Sequence, residues 1–401
     1  MQTELPKPDF TDPQPAFAGM SDKQLLKHYR MFKTVCRPFL IKIGEWLGKQ
    51  NKIPVWIYKW AVKKTIYKIF VGGETLQECQ PTIDELDSKG VGSVPDLSIE
   101  SVSSEKAVDA AVNDILDTIK LSQRNRKKVP FTVFKLTGLI KKDVLIAISG
   151  KIKSGQQLSD SERTEWNRLI GRADKLCGEA YQAGVRIMID AEETWIQIAI
   201  DTIAHRMMQC YNKENVTVLN TYQMYRKNAV AALQNDFEKA VAGGYKFGVK
   251  IVRGAYMEKE REEATKHGYD SPINEMKEDT DNEYNNGLRF CIENISSILI
   301  VAGTHNKASI QYLMSLMEEH EIPRNSDSVH FSQLFGMGDI LSCNLSKFGY
   351  NVCKYLPFGP VKDVIPYLTR RARENSSING FTSQELQTII AEIQRRSIAI
   401  T

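Results

Sequence analysis

Eight short runs rich in β-branched residues, each followed by a longer amphipathic stretch, constrain the fold of this chain more than any other feature. The runs are Val94–Ile99, Phe131–Leu136, Val185–Ile189, Val216–Leu219, Phe247–Val252, Ile298–Ala302, Val329–Ser332 and Asn351–Tyr355. Helical patterns lie between them, among others at 105–122, 161–183, 195–212, 223–242, 276–294, 306–319 and 362–373. Strands alternating with helices form right-handed βαβ units and a parallel sheet. Eight units over about 280 residues suit a closed (β/α)8 barrel. The expected fold class is α/β, a distorted TIM-type barrel with an N-terminal helical extension. A doubly wound open sheet is the rival architecture.

Ahead of the first strand, residues 1–20 read as a loose Pro-rich arm, and Ser21 to Ile69 reads as helical with a Gly72-Gly73 stop. The expected division is therefore 1–71, an arm and basic helical segment, and 72–401, the barrel. Between Lys23 and Lys68 stand twelve Lys or Arg and one acid, Glu45. One reading is a solvated helical cap. The other is a peripheral patch on anionic lipid, with Trp56, Tyr58 and Trp60 at the interface.

Over all 401 residues the net charge is only +4, which gives no argument for nucleic acid. Seven scattered cysteines without a CxxC suit reduced, buried thiols, and six histidines without HxxxH give no metal site. No run reaches the ~20 apolar residues of a membrane span. The acidic, Pro-rich start resembles neither a secretory signal nor a transit peptide, so the expected location is cytoplasmic. Gly90 and Gly92 lack the third glycine of a dinucleotide fingerprint, and there is no GxxxxGK[ST], GxSxG or HExxH.

Each strand carries polar residues at or just past its end. In order these are Asp96 with Glu100, Lys135, Asp190-Ala-Glu-Glu193, Asn220-Thr-Tyr-Gln223, Lys250 with Arg253-Gly-Ala-Tyr256, Thr304-His305-Asn306, Gln333, and Lys354-Tyr355. One charge at a strand end is usually a solvated loop; eight in succession point to a site at the C-terminal mouth. The last helical stretch adds Arg370, Arg371 and Glu374. Arg370 and Glu374 stand four apart, which suits a surface ion pair or, over a barrel mouth, a guanidinium clamp for a carboxylate.

Asp190-Ala-Glu-Glu, Asn220-Thr-Tyr-Gln, Lys250-Ile-Val-Arg-Gly-Ala-Tyr256, Thr304-His-Asn306, Phe331-Ser-Gln-Leu334 with Gly336-Met-Gly, and 367–375 together resemble the proline dehydrogenase family. They occur in the family's order between about Gly72 and Gly380. The monofunctional branch is the closer resemblance, since no second catalytic domain follows the barrel. What the resemblance implies is FAD held non-covalently in the barrel, and L-proline oxidised to pyrroline-5-carboxylate by hydride transfer to flavin N5. Electrons then pass to a membrane quinone.

By the same resemblance Arg370, Arg371 and Lys135 would hold the substrate carboxylate, with Glu374 near the amine. Tyr355 and Leu334 would pack on the ring, and Tyr355 would favour proline over hydroxyproline. Glu100 would gate the site by pairing with Arg370, and Asp190 would anchor Lys135. Lys250 would lie near flavin N5. Asn220, Arg253, Gly254, Ala255, Tyr256, Thr304, His305, Asn306 and Gln333 would contact the cofactor. Relative to some branches the two cations Lys250 and Arg253 are exchanged, and Met257 replaces an aromatic. Three alternatives stay open: a pyridoxal-phosphate barrel with Lys135 or Lys250 as Schiff base, a dehydrogenase for hydroxyproline or a related cyclic amine, and a non-enzymatic scaffold.

Overall fold

The computed structural model describes residues 7–35, 62–63, 66–99, 101–377 and 381–399, with backbone alone at 34–35, 372–377 and 381–384. Eight strands form one parallel sheet: β1 (Gly92–Leu97), β2 (Phe131–Phe134), β3 (Arg186–Ile189), β4 (Val218–Gln223), β5 (Phe247–Val252), β6 (Ile298–Gly303), β7 (Val329–Leu334) and β8 (Val352–Phe358). Their order is β1-β8-β7-β6-β5-β4-β3-β2, with β1 paired to β8 from Gly92↔Cys353 to Leu97↔Phe358. The sheet thus curls round until β1 stands beside β2, where Ser93 N–H donates to Lys128 O at 2.7 Å. This is the barrel, slightly open at the β1/β2 seam, and the open doubly wound sheet is excluded.

Alternation along each strand separates two cores. Val94, Phe131, Val133, Met188, Leu219 and Val301 fill the lumen. Ile187, Val218, Val249, Ile300 and Val352 face outward to the helices. The helices on the sheet's outside are α3 (Gln80–Ser88), α4 (Glu105–Arg124), α5 (Lys142–Ser154), α6 (Asp160–Ala183), α7 (Thr194–Tyr211), α8 (Ala229–Ala242), α9 (Met257–His267), α10 (Lys277–Glu293), α11 (Lys307–Glu319) and α12 (Asp339–Lys347). Three of them, α4, α6 and α11, start on side-chain caps. Ser159 and Glu162 form a reciprocal capping box on α6, and Ser104 accepts from Ala107 N–H at the start of α4.

Before and after the barrel lie α1 (Asp22–Val35), α2 (Tyr67–Phe70), α13 (Val361–Ser377) and α14 (Phe381–Arg395). The described part of the arm is not loose, as its prolines suggest. Phe10, Ala16 and Phe17 are buried, and α1 buries Leu25, Tyr29 and Phe32, one helical face, with α14 as its neighbour. Arg396, just past α14, donates to Phe17 O at 3.0 Å and Met20 O at 2.6 Å. Apolar residues spaced between prolines hold this arm down. Gly72 N–H donates to Pro357 O at 2.8 Å, so the expected 71/72 boundary lies against the end of β8. Trp56, Tyr58 and Trp60 lie outside the described residues.

Candidate active site

At the C-terminal end of the lumen, inward positions of four strands bring buried charges into a chain of alternating sign. Lys135, one residue past β2, meets Asp96 of β1 at 2.5 Å and Asp190, one residue past β3, at 3.4 Å. Asp190 in turn accepts from Lys250 of β5. The Lys250 ammonium also donates to the Tyr355 hydroxyl of β8 at 2.6 Å, and that hydroxyl donates to Asp190 at 3.1 Å. Asp96, Asp190, Lys250 and Tyr355 are all buried.

Isolated charges at such depth would be too costly, and the chain is tolerable because each ammonium has a carboxylate. Burial works against ionising Asp190, but Lys250 and Lys135 beside it hold its carboxyl below the usual range. Asp96 is pushed up by burial, with Lys135 opposing and the Asp190 charge adding to the rise. Burial and the two aspartates push the Tyr355 phenol well above its ordinary value, so it remains a donor. Two ammonium groups in a low-dielectric wall, already neutralised, can bind an arriving carboxylate or oppose developing negative charge.

Beside this wall the β5 exit turns sharply at Gly254, whose φ is +136° and where a Cβ would lie 2.5 Å from the Tyr225 ring. Only glycine fits that approach. Arg253 before it donates to Asp281 at 2.7 Å, Thr304 Oγ1 at 2.6 Å and Ser309 Oγ at 2.9 Å, over the Tyr284 ring. Its guanidinium thus stands at the rim next to the first turn of α11, a cationic corner of the kind that takes phosphate. Ala255 N–H donates to Gln223 Oε1 at 3.2 Å, and Tyr256 is buried.

The β6 and β7 exits meet through His305, whose Nε2 accepts from Leu334 N–H at 3.0 Å. Burial, with Lys354 and Arg371 nearby, pushes His305 down to about 3, so its ring is neutral with the proton on Nδ1. Leu334 packs on the lumen core. Over the mouth runs α13. Its Arg370 lies 5.2 Å from the Tyr256 ring centroid, and Arg371 is buried over Tyr367 at 5.4 Å. That brings the Arg370 guanidinium to the β5 exit, and the Arg371 charge acts on His305 at the β6 exit.

Other expected residues are turned elsewhere. Asn220 faces outward: its amide donates to Asp201 of α7 at 2.9 Å and its carbonyl accepts from Thr221 N–H at 2.9 Å. Leu219 faces the lumen, so strand alternation sends Asn220 to the helical layer. Asn306 caps α11 by accepting from Ser309 N–H at 3.2 Å. Gln333 donates to Thr304 O at 3.1 Å and accepts from Ser342 Oγ at 2.8 Å, facing α12. These two also serve the frame of the mouth. Glu100 and the side chain of Glu374 lie outside the described residues.

Three residues of the mouth stand at strand ends in the sequence but were given no role there. Asp96 closes the charge chain, Gln223 spans the β3 and β5 exits, and Glu192 receives both donors of Thr137. Parity could have found Gln223, which stands four residues after Leu219 on an inward position.

The family model for proline dehydrogenase matches residues 79–384. Proline dehydrogenase 1, mitochondrial, of Dictyostelium discoideum is 32% identical over 84% of this chain and 65% of its own length. The hydroxyproline dehydrogenase of Xenopus laevis is also 32% identical, over 95% of this chain and 88% of its own. The crystal structure of proline utilization A from Bdellovibrio bacteriovorus, inactivated by N-propargylglycine, has the same fold. It superposes with a TM-score of 0.70 at 22% identity, over 80% of this chain and 34% of that one. This chain therefore spans about two thirds of the Dictyostelium relative and one third of the solved protein. With the motifs, the nearly closed barrel and the matched region in agreement, the chain belongs to the proline dehydrogenase family.

Proposed function

We propose that this chain oxidises L-proline to 1-pyrroline-5-carboxylate at the barrel mouth, using FAD. The observation that carries this is the buried chain Asp96, Lys135, Asp190, Lys250 and Tyr355 beneath the guanidiniums of α13. Proline brings a carboxylate, an amine and an apolar ring. Lys135, Arg370 and Arg371 hold the carboxylate, Leu334 and Tyr355 enclose the ring, and by the family resemblance Glu374 would serve the amine. By the family resemblance Glu100 would close the mouth by pairing with Arg370. Removal of hydride from the ring carbon leaves a cation on nitrogen, which an acid nearby favours. The amine must be unprotonated first, so turnover rises with pH.

The residues present fit a flavin dinucleotide. Arg253, 22% exposed with Thr304 and Ser309 on its guanidinium, suits a pyrophosphate, and Gly254 to Tyr256 offer a close main-chain approach. His305 completes that wall. Lys250, held by Asp190 and Tyr355, supplies a fixed positive charge against the ring system. When bound, FAD supplies the hydride acceptor, and its electrons go on to a membrane quinone.

One observation favours a second substrate. The Xenopus relative carries the name hydroxyproline dehydrogenase and matches 95% of this chain. Against it, the Tyr355 hydroxyl is already committed to Lys250 and Asp190, leaving little room for a second hydroxyl. A Schiff-base role is disfavoured, since Lys250 and Lys135 are both ion-paired ammoniums. Turnover with L-proline and with trans-4-hydroxy-L-proline, using an artificial quinone, tests the assignment. A preference for the hydroxylated substrate would overturn it.

Among the described residues no helix is long and apolar enough to cross a membrane. Lys23, Lys27, Arg30 and Lys33 lie on the exposed face of α1. We favour their role as a solvated cap, and keep peripheral contact of 23–68 with the inner face of the cytoplasmic membrane as the sharper proposal. Binding to anionic liposomes at low salt would establish it, and no binding would remove it.

A further inference from the structure

The loops after β2, β3 and β5 and the end of β4 are tied together by hydrogen bonds that run through Glu192 and Gln223. The pairing of β3 with β2 ends on Asp190 N–H, which donates to Phe134 O at 3.0 Å. Beyond that rung the Glu192 carboxylate takes the place of a strand carbonyl. It accepts from Thr137 N–H at 3.1 Å and from the Thr137 hydroxyl at 2.5 Å. The main chain of Glu192 is fixed as well. Its N–H donates to Gln197 Oε1 at 3.1 Å, and its carbonyl accepts from Gln223 Nε2 at 2.8 Å. Gln223 then holds Ala255 N–H, so the run reaches the β5 exit.

Thr137 sits in the 136–138 turn that Lys135 opens, and Gly138 N–H donates back to Lys135 O at 3.1 Å. Fixing Thr137 fixes the peptide units that carry Lys135. We propose that Glu192 is a positioning residue for substrate binding, latching this turn so that Lys135 meets the substrate carboxylate. The proposal rests on the reading of Lys135 given above.

The latch also has a pH signature. The charged groups around it are Glu193 beside it and Lys142 of α5, with Asp201 of α7 beyond Gln197. Lys142 pairs with Glu193 at 2.6 Å and Lys259 pairs with it too, and Glu192 has no ion pair of its own among the described residues. Burial, with Glu193 adding, pushes Glu192 up to about 7. Above that value the carboxylate accepts both Thr137 donors; below it the neutral acid loses part of this capacity.

The test uses the full-length flavoprotein and cyclopentanecarboxylate as a competitive inhibitor, which offers ring and carboxylate without an amine that titrates. Its Ki in the wild type should rise about three- to tenfold from pH 8 to pH 6, as the latch loses one hydrogen bond. Glu192→Gln should bind about tenfold more weakly at pH 8, with a flat profile and kcat for L-proline within about threefold. Thr137→Val should match it and Thr137→Ser should restore the wild-type profile, a comparison that stands even if Glu192→Gln fails to fold. An unchanged Ki and pH profile in these variants, or lost stability and kcat with Ki unchanged, overturns the proposal. A wild type that turns over proline but ignores the inhibitor overturns Lys135 as a carboxylate holder, whereas one without proline turnover overturns the function itself.

Discussion

The Lys135 ammonium meets the Asp96 carboxylate at 2.5 Å across the β1/β2 seam, where the two strands have no ladder among the described residues. A side-chain ion pair there does what main-chain bonds do between the other neighbouring strands. It also leaves a cation of the mouth with a partner on either side, Asp96 and Asp190. Closing the barrel and preparing the site are thus one structural feature.

Replacing Asp96 by Asn keeps the shape and removes the counter-charge. Lys135 retains Asp190 at 3.4 Å, so the expected loss is partial, roughly 1–3 kcal/mol. Urea unfolding should show a lower midpoint with the same slope. An unchanged midpoint would mean that packing and the Ser93–Lys128 main-chain bond hold the seam without the ion pair.

Lys250 is the buried cation that bonds both Asp190 and Tyr355. Lys250→Met should slow flavin reduction by L-proline about 10²- to 10³-fold in anaerobic stopped-flow, with Lys250→Arg far less affected. Equal losses in both would argue for a role in shape rather than charge.

Tyr355 closes the pocket with a hydroxyl fixed by two partners. Tyr355→Ser should reduce the kcat/KM preference for proline over trans-4-hydroxyproline by about tenfold, while lowering both absolute values. An unchanged ratio would place discrimination elsewhere.

On the barrel floor His330 lies edge-on to Phe131 at 4.8 Å and 3.4 Å from Arg186. Burial, then the Arg186 charge, pushes it down to about 4, whereas the unfolded chain takes up that proton near ~6.5. Between those values the unfolded state binds more protons, so this group's stability is full above about pH 6.5 and is lost toward pH 4. Wild type should lose about 2 kcal/mol more than His330→Gln between pH 7.5 and pH 5. Parallel losses in the two proteins would contradict the neutral, buried ring.

Much of this was legible in the sequence. The eight strands were, because β-branched runs between amphipathic stretches have few other uses, and Lys135, Asp190, Lys250 and Tyr355 stood at or beside their ends. The outward orientation of Asn220 was not legible because β4 runs on to Gln223, past Leu219, and parity alone decides which residues face the lumen. Asp96 was visible but its pairing across the seam was not, since β1 and β2 meet only when the ring closes. The packed arm was hidden by its prolines: burial of Phe10 and Phe17 depends on surfaces assembled from residues hundreds of positions away. Glu192 gave no local sign of its work, which is to substitute for a strand carbonyl.

The most direct test of the central claim is the visible absorbance spectrum of the purified protein, before and after anaerobic L-proline. A flavoprotein with this activity shows bands near ~450 nm that bleach on proline. Bands that persist with proline would keep the fold and reject the substrate, and a protein that cannot be loaded with FAD would contradict the proposed chemistry altogether.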